Sequence, residues 1–327
     1  MPRFSSRTVD RIVDERDGLQ KVILDDGSTA YSLVELIGAA TAGDHVVVNT
    51  TAVDLDLGTG GSHVIHWITD REGNSELRPG RIIKARYLSE QTEVDPHLST
   101  RLDLDGARVL LCVLHSHLGA VAVGMNSPDL GYLMTDQAAL PLALSDLVAE
   151  LRQRNLLGLT VTAGQAFGGD LETINVASGI AALLENNHNG VVVAAGPGHV
   201  GTGIGLGFSS LELAGHAATL SALGAEVAVC VRASDVDPRE RHNGISHHMN
   251  TILKATPTPI EVPIPHGAES SWITTLNHRP YWAEPIDIAD ALNHLTTPLK
   301  TMGRPLADDA LACSYVGASV AWLMRAT

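Results

Sequence analysis

The chain has 327 residues, of which 44% are hydrophobic and 18% charged, so it can bury a sizeable core and carries too little charge for a disordered polymer. A formal net charge of −15 disfavours binding to nucleic acids and anionic membranes, which require a basic face, so neither is expected as a partner. Three widely spaced cysteines, Cys112, Cys230 and Cys313, form neither a disulfide framework nor a zinc knuckle; they read as buried thiols in a reducing, cytoplasmic setting.

Met1 to Arg7 has no apolar core behind it and is not read as a signal peptide. From there to about residue 100 the pattern is β. Thr8 to Asp14 alternates apolar and polar side chains, and Asp17-Gly18 and Asp26-Gly27 are hairpin dipeptides. Val46 to Val48 and Ile82 to Leu88 read as further strands, the second following Pro79-Gly80, with Gly58 to Gly61 breaking the pattern between them. Short strands with regular turns predict a small barrel or sandwich-like domain over 1–103. The polar stretch Asp95 to Gly106 marks the boundary with a second domain over 104–327.

In that second domain, apolar runs alternate with helical patterns. Val109–Leu114, Leu130–Met134, Leu159–Thr162, Val191–Ala195 and Val227–Val231 read as strands, and Ile260–Ile264, flanked by prolines, as an edge strand. Helices are expected over Leu140–Arg154, Leu171–Glu185 (with Asp170 as its N-cap), and from a Ser209…Glu212 capping box to Leu223. A further helix opens near Ser246, and Ala310–Met324 forms a buried terminal helix. The fold class is therefore α/β: a doubly wound, mostly parallel, Rossmann-like sheet preceded by a small β domain.

Each of the first five runs ends in a polar or glycine-rich cluster, and ligands of open α/β sheets bind beyond the carboxyl ends of the strands. One composite site is expected there. His115, His247 and His248 are its candidate metal ligands, for Zn²⁺, Mn²⁺ or Fe²⁺. Asp136, Asp170 and His242 are the candidate acid–base residues. Gly196, Gly198, Gly201 and Thr202 form a loop whose amides can approach an anion, and Arg239 can fork onto it. The spacing Gly196-x-Gly198-x-x-Gly201 also fits a dinucleotide loop, but the following glycines delay the helix, so NAD(P) is the weaker assignment. No P-loop, G-x-S-x-G elbow or H-E-x-x-H motif is present.

Several blocks carry a resemblance: Asn49-Thr50-Thr51-Ala52, Leu57 to Gly61, His115 to Leu118, Met134-Thr135-Asp136, Ala166 to Glu172, Gly196 to Gly203, Asp237 to His242, and Ser246-His247-His248. Together they resemble an uncharacterised bacterial family catalogued as domain of unknown function 3866, over most of the chain. The resemblance implies no activity. That family commonly has Gln at the position of His117 and His at that of Gln165, with glycines at those of Gln137 and Ala138. It therefore implies His115, rather than His117, as a ligand. The reading that results is an enzyme acting on a small anionic substrate, a metal-assisted hydrolase or phosphoryl-group enzyme. A nucleotide- or dinucleotide-binding oxidoreductase and a non-catalytic ligand sensor are the alternatives. A small-molecule ligand is the expected partner, and a homo-oligomer is compatible with the sequence.

Overall fold

The computed structural model describes residues 2–57, 60–71, 82–96, 98–138, 140–203, 205–301 and 303–325. They form two compact units, 1–93 and 94–327. Residues 94–103, given to the small domain by the sequence pattern, cluster with the larger unit.

The first unit is a closed barrel of β1 (Phe4–Arg16), β2 (Leu19–Leu24), β3 (Thr29–Leu33), β4 (His45–Asn49) and β5 (Ser62–Ile68), ordered β1-β2-β3-β5-β4. β3 runs parallel to β5 and every other pair is antiparallel. Gly18 and Gly27 make the two hairpin turns with φ of 72° and 82°, a region glycine reaches without steric cost. Inward residues Val9, Val22, Leu24, Ala30, Val46, Val48 and Ile65 fill the interior. The expected strand from Ile82 to Leu88 is reduced to Ile83–Lys84, paired with Thr92–Glu93. Ala85 and Tyr87 take positive φ there and turn the chain out of the extended form. Pro79, Gly80, Gly58 and Thr59 lie outside the described residues.

The second unit is an eight-stranded, all-parallel sheet. In chain order its elements are β6 (Arg108–Cys112), α1 (His115–Met125), β7 (Leu130–Thr135), α2 (Asp146–Gln153), β8 (Thr160–Thr162), β9 (Leu171–Glu172) and α3 (Val176–Glu185). Then follow β10 (Gly190–Ala195), α4 (Leu213–Ala222), β11 (Glu226–Cys230), α5 (His247–Ala255), β12 (Glu261–Pro265), β13 (Arg279–Ala283) and α6 (Ala310–Met324). The spatial order is β9-β8-β7-β10-β6-β11-β12-β13. Both faces are covered, so the central strands are continuous apolar runs. Val109, Leu111, Val191, Val193, Val227 and Val229 pack with α3, α4 and α5. Leu110, Cys112, Val192, Ala194, Ala228 and Cys230 pack with α1, α2 and α6.

Three local expectations change. Leu171–Glu172 is an edge strand rather than a first helical turn, and α3 starts at Val176, capped by Asn175 and Ser178 in a reciprocal box. Ser209–Glu212 is a 3₁₀ turn without a side-chain cap, because Glu212 instead accepts the Thr135 hydroxyl. β12 is not at the edge: β13 lies outside it along its full length, while its register with β11 is the single pair Ala228↔Glu261. Pro263 lacks the amide that a longer ladder would use.

The connections place the site. β6 leads through α1 to β7, passing β10; β10 leads through α4 to β11, passing β6 on the opposite face. The two chains diverge at the carboxyl ends of β6 and β10, the switch point where ligands of such sheets bind. Among the described residues, no helix is long and apolar enough to cross a membrane.

Candidate functional site

His115 is the third residue past β6 and sits at the switch point. Its Nδ1 lies 3.1 Å from the carbonyl of Ala195, the last residue of β10, and its Nε2 lies 2.8 Å from Ser145 Oγ. The carbonyl can only accept, so Nδ1 carries the proton and Nε2 accepts from the serine. Desolvation pushes this imidazole down to about 4. With both ring nitrogens engaged, His115 pins the end of β6 to the end of β10. It does not join the histidine group described next.

That group is made by the chain leaving β11. Ala233–Ser234 pairs with Gly244–Ile245, which folds the charged segment 235–243 into a closed loop and delivers Ser246 to the N-cap of α5. Ser246 Oγ accepts from the amide of His248 and lies 2.8 Å from His242 Nδ1. His247 and His248 follow in the first turn. One potential ligand atom from each of His242, His247 and His248 lies within 4.8 Å of the others. Burial lowers all three, His242 to about 4 and His248 to about 3, with Arg232 the next cause for both. The positive end of the α5 dipole acts in the same direction. Near neutral pH these rings are uncharged.

Arg232, two residues past β11, is 8% exposed. Its Nη1 donates to Nδ1 of His248 at 3.3 Å. No carboxylate lies within ion-pair distance of it among the described residues. Arg239, the cation expected to hold an anion, is instead engaged with Asp237 through Nε at 2.9 Å and Nη2 at 2.7 Å. Arg304 shares that carboxylate at 2.9 Å. The two guanidiniums hold Asp237 well below the usual carboxylate range. Arg232 is thus the buried cation left to a ligand, a role that sequence reasoning missed although it directly follows the Val227–Val231 run.

The glycine loop reaches the same place. Gly201 bridges Phe208, the Thr202 amide donates to the Gly207 carbonyl at 2.7 Å, and Ser209 donates to Val200 at 2.8 Å. Residues 200–203 and 205–209 therefore pair back on one another instead of entering a helix as a dinucleotide loop would. The turn places His199 and Phe208 beside α5. Phe208 stacks on His248 with centroids 4.0 Å apart, and His199 lies 5.3 Å from His248. Gly198 has φ of 105° and open space where a Cβ would stand. His199, pushed down to about 4, is a second residue that sequence reasoning did not single out.

The two candidate aspartates are occupied elsewhere. Asp136 accepts from the amide of Gln165 at 2.8 Å and packs under Gly164, fixing the turn after β8. Asp170 reaches back to the amino end of β8, accepting the amide and hydroxyl of Thr160 at 2.8 Å each and pairing with Arg152 at 2.7 Å. The structure thus brings together His199, Phe208, Arg232, His242, His247 and His248, and keeps Asp136 and Asp170 in the framework of the sheet.

A family model described as "Protein of unknown function (DUF3866)" matches residues 29–320. No curated protein matches the chain.

Proposed function

The chain belongs to the DUF3866 family, and we propose that it is a metal-assisted enzyme acting on a small anionic substrate, a hydrolase or phosphoryl-group enzyme. One observation carries this reading: three neutral imidazoles converge to within 4.8 Å beside a buried arginine that makes no ion pair among the described residues. A Zn²⁺ ion takes imidazole nitrogens at about 2.0–2.1 Å, so small rotations of His242, His247 and His248 would close a three-nitrogen set around one ion. A divalent ion held there would supply a water acidic enough to act as nucleophile near pH 7 and would polarise the bond under attack.

The surrounding charge selects the substrate. Arg232, Arg239, Arg241 and Arg304 outweigh Asp237, and a dication alone would be repelled by them. An anion beside Arg232 would offset that repulsion, so phosphate esters and carboxylate-bearing substrates fit and neutral ones do not. His199, neutral and adjacent, can take or return the proton that moves in the attack.

Cation binding and arginine position are linked. A neutral imidazole that accepts from Arg232 at Nδ1 has its proton on Nε2. If His248 held an ion through Nδ1 the arginine would have to leave that nitrogen; if through Nε2, the ring proton would sit on Nδ1, which could not accept. In either case Arg232 would lose its hydrogen bond to His248 and be free to hold the anion.

The test is metal content and turnover together. The full chain is stripped with a chelator and reloaded separately with Zn²⁺, Mn²⁺ and Fe²⁺, and hydrolysis of p-nitrophenyl phosphate is followed. At least one ion should restore turnover, and His242→Ala/His247→Ala should lose one equivalent of that ion and the turnover with it. If the double variant binds every ion as wild type does, the reading is wrong.

A further inference from the structure

A second group of ligand-type side chains lies inside the sheet, on the face covered by α1 and α6. Cys112 ends β6 and Cys230 ends β11, and the two are directly paired in the parallel register. Equal register sends both side chains to the same face. His117, in the first turn of α1, comes back over them. One ligand atom from each of Cys112, His117 and Cys230 lies within 4.8 Å of the others. The residues are 1%, 3% and 0% exposed.

Two features set this group apart from ordinary core packing. Nδ1 of His117 is fully buried and has no hydrogen-bond partner among the described residues. An orphaned polar atom in an apolar core is destabilising, and an apolar side chain at this position would avoid the cost. Ser319 of α6, fully buried, also brings a hydroxyl against Cys230, although neighbouring positions on that helix face are apolar. Sulfur, nitrogen and hydroxyl oxygen are therefore gathered where β6, β11, α1 and α6 meet.

We propose that Cys112, His117 and Cys230 form a buried structural site for a thiophilic divalent cation, Zn²⁺ in particular, distinct from the His242–His247–His248 group. Metal–sulfur bonds of about 2.3 Å and metal–nitrogen bonds of about 2.0 Å require ligand atoms roughly 3.5–4 Å apart, which the observed spacing nearly provides. Charge selects the ion. Two thiolates and one neutral imidazole around Zn²⁺ sum to zero, whereas the same set around Cu⁺ carries −1 into an apolar core where unpaired charge is costly. Binding releases the two thiol protons, so affinity should rise with pH. The ion would tie the central strand β6 to β11 and both to α1.

The experiment uses the full chain, stripped and kept reduced under argon, then titrated with Co²⁺ as a spectroscopic stand-in for Zn²⁺. One equivalent should produce a thiolate-to-cobalt charge-transfer band, and one equivalent of Zn²⁺ should abolish it. The band should persist in His247→Ala/His248→Ala, whose altered site holds no thiolate, and disappear in Cys230→Ser. If Cys230→Ser does not fold, the wild-type protein still decides: one equivalent of Zn²⁺ should slow the alkylation of two thiols relative to the stripped protein, and equal rates overturn the proposal. No charge-transfer band in wild type overturns the proposal, as does retention of the band in folded Cys230→Ser. A Cys112–Cys230 disulfide in protein purified without reductant, found by thiol counting, would overturn it also. Tighter retention of Cu⁺ than Zn²⁺ against matched chelators would overturn the assignment of a divalent ion.

Discussion

Arg232 and His248 are joined by a hydrogen bond at 3.3 Å in which a buried guanidinium donates to a buried imidazole, a pairing that supplies the cation with no counter-charge. Burial is the first cause of the fall of His248 to about 3, and the charge of Arg232 the second. Arg232→Gln should therefore have opposite effects on two ligands. Zn²⁺ should bind more tightly, by about tenfold for each pKa unit that His248 recovers. Inorganic phosphate should bind the Zn²⁺-loaded protein at least tenfold more weakly. Competition with a chromophoric chelator measures the first and calorimetry the second. Weaker Zn²⁺ binding in the variant would show that Arg232 chiefly orients the ring.

The neutral histidines make stability depend on pH. His115 is lowered to about 4 by desolvation, against about 6.5 in the unfolded chain. Below pH 6.5 the unfolded chain takes the proton and the folded one does not, so stability is full above that pH and falls as pH drops toward 4. At pH 5 this one residue costs about 2 kcal/mol. Urea unfolding in the presence of a chelator should show that His115→Gln loses about 2 kcal/mol less than wild type between pH 7 and pH 5. Equal losses would place the protonated group elsewhere.

Gly164 and Asp136 provide a test of the framework role assigned to the aspartate. Gly164 has φ of 66°, and a Cβ there would stand 2.1 Å from Asp136 Oδ2. Gly164→Ala should cost about 2–3 kcal/mol, combining the collision with a left-handed backbone. In an Asp136→Ala background only the backbone cost of about 1–2 kcal/mol should remain, so the two substitutions are non-additive. Additive costs in urea unfolding would mean that the carboxylate does not pack against this turn.

What the sequence makes legible here follows from the range of the forces involved. The apolar runs at 109, 130, 191 and 227 are strands because burial on both faces needs no long-range information to be visible. Their polar carboxyl ends announce His115, the glycine loop and the His242–His248 segment. Asp170 misleads because an acid before Leu171 has the look of an N-cap, while β9 is two residues long and too short for any periodicity. Thr160, ten residues back, captures the carboxylate instead. Cys112 and Cys230 each read as a small apolar residue in a strand. Their pairing depends on β11 lying against β6 although three strands of that sheet intervene in the chain besides β10, and no local pattern encodes that order.

The position of α6 has a consequence for synthesis. Val316, Val320 and Trp322 belong to the same core as Leu110, Cys112, Ala228 and Cys230, yet the ribosome delivers them after all eight strands. A growing chain that has already laid down its sheet leaves the part of one apolar face that α1 and α2 do not cover open to water until residues 310–324 emerge. During that interval the face is a target for holding chaperones and for other unfinished chains. Translation that stalls near residue 300 should therefore yield a sticky product rather than an inactive but well-behaved one.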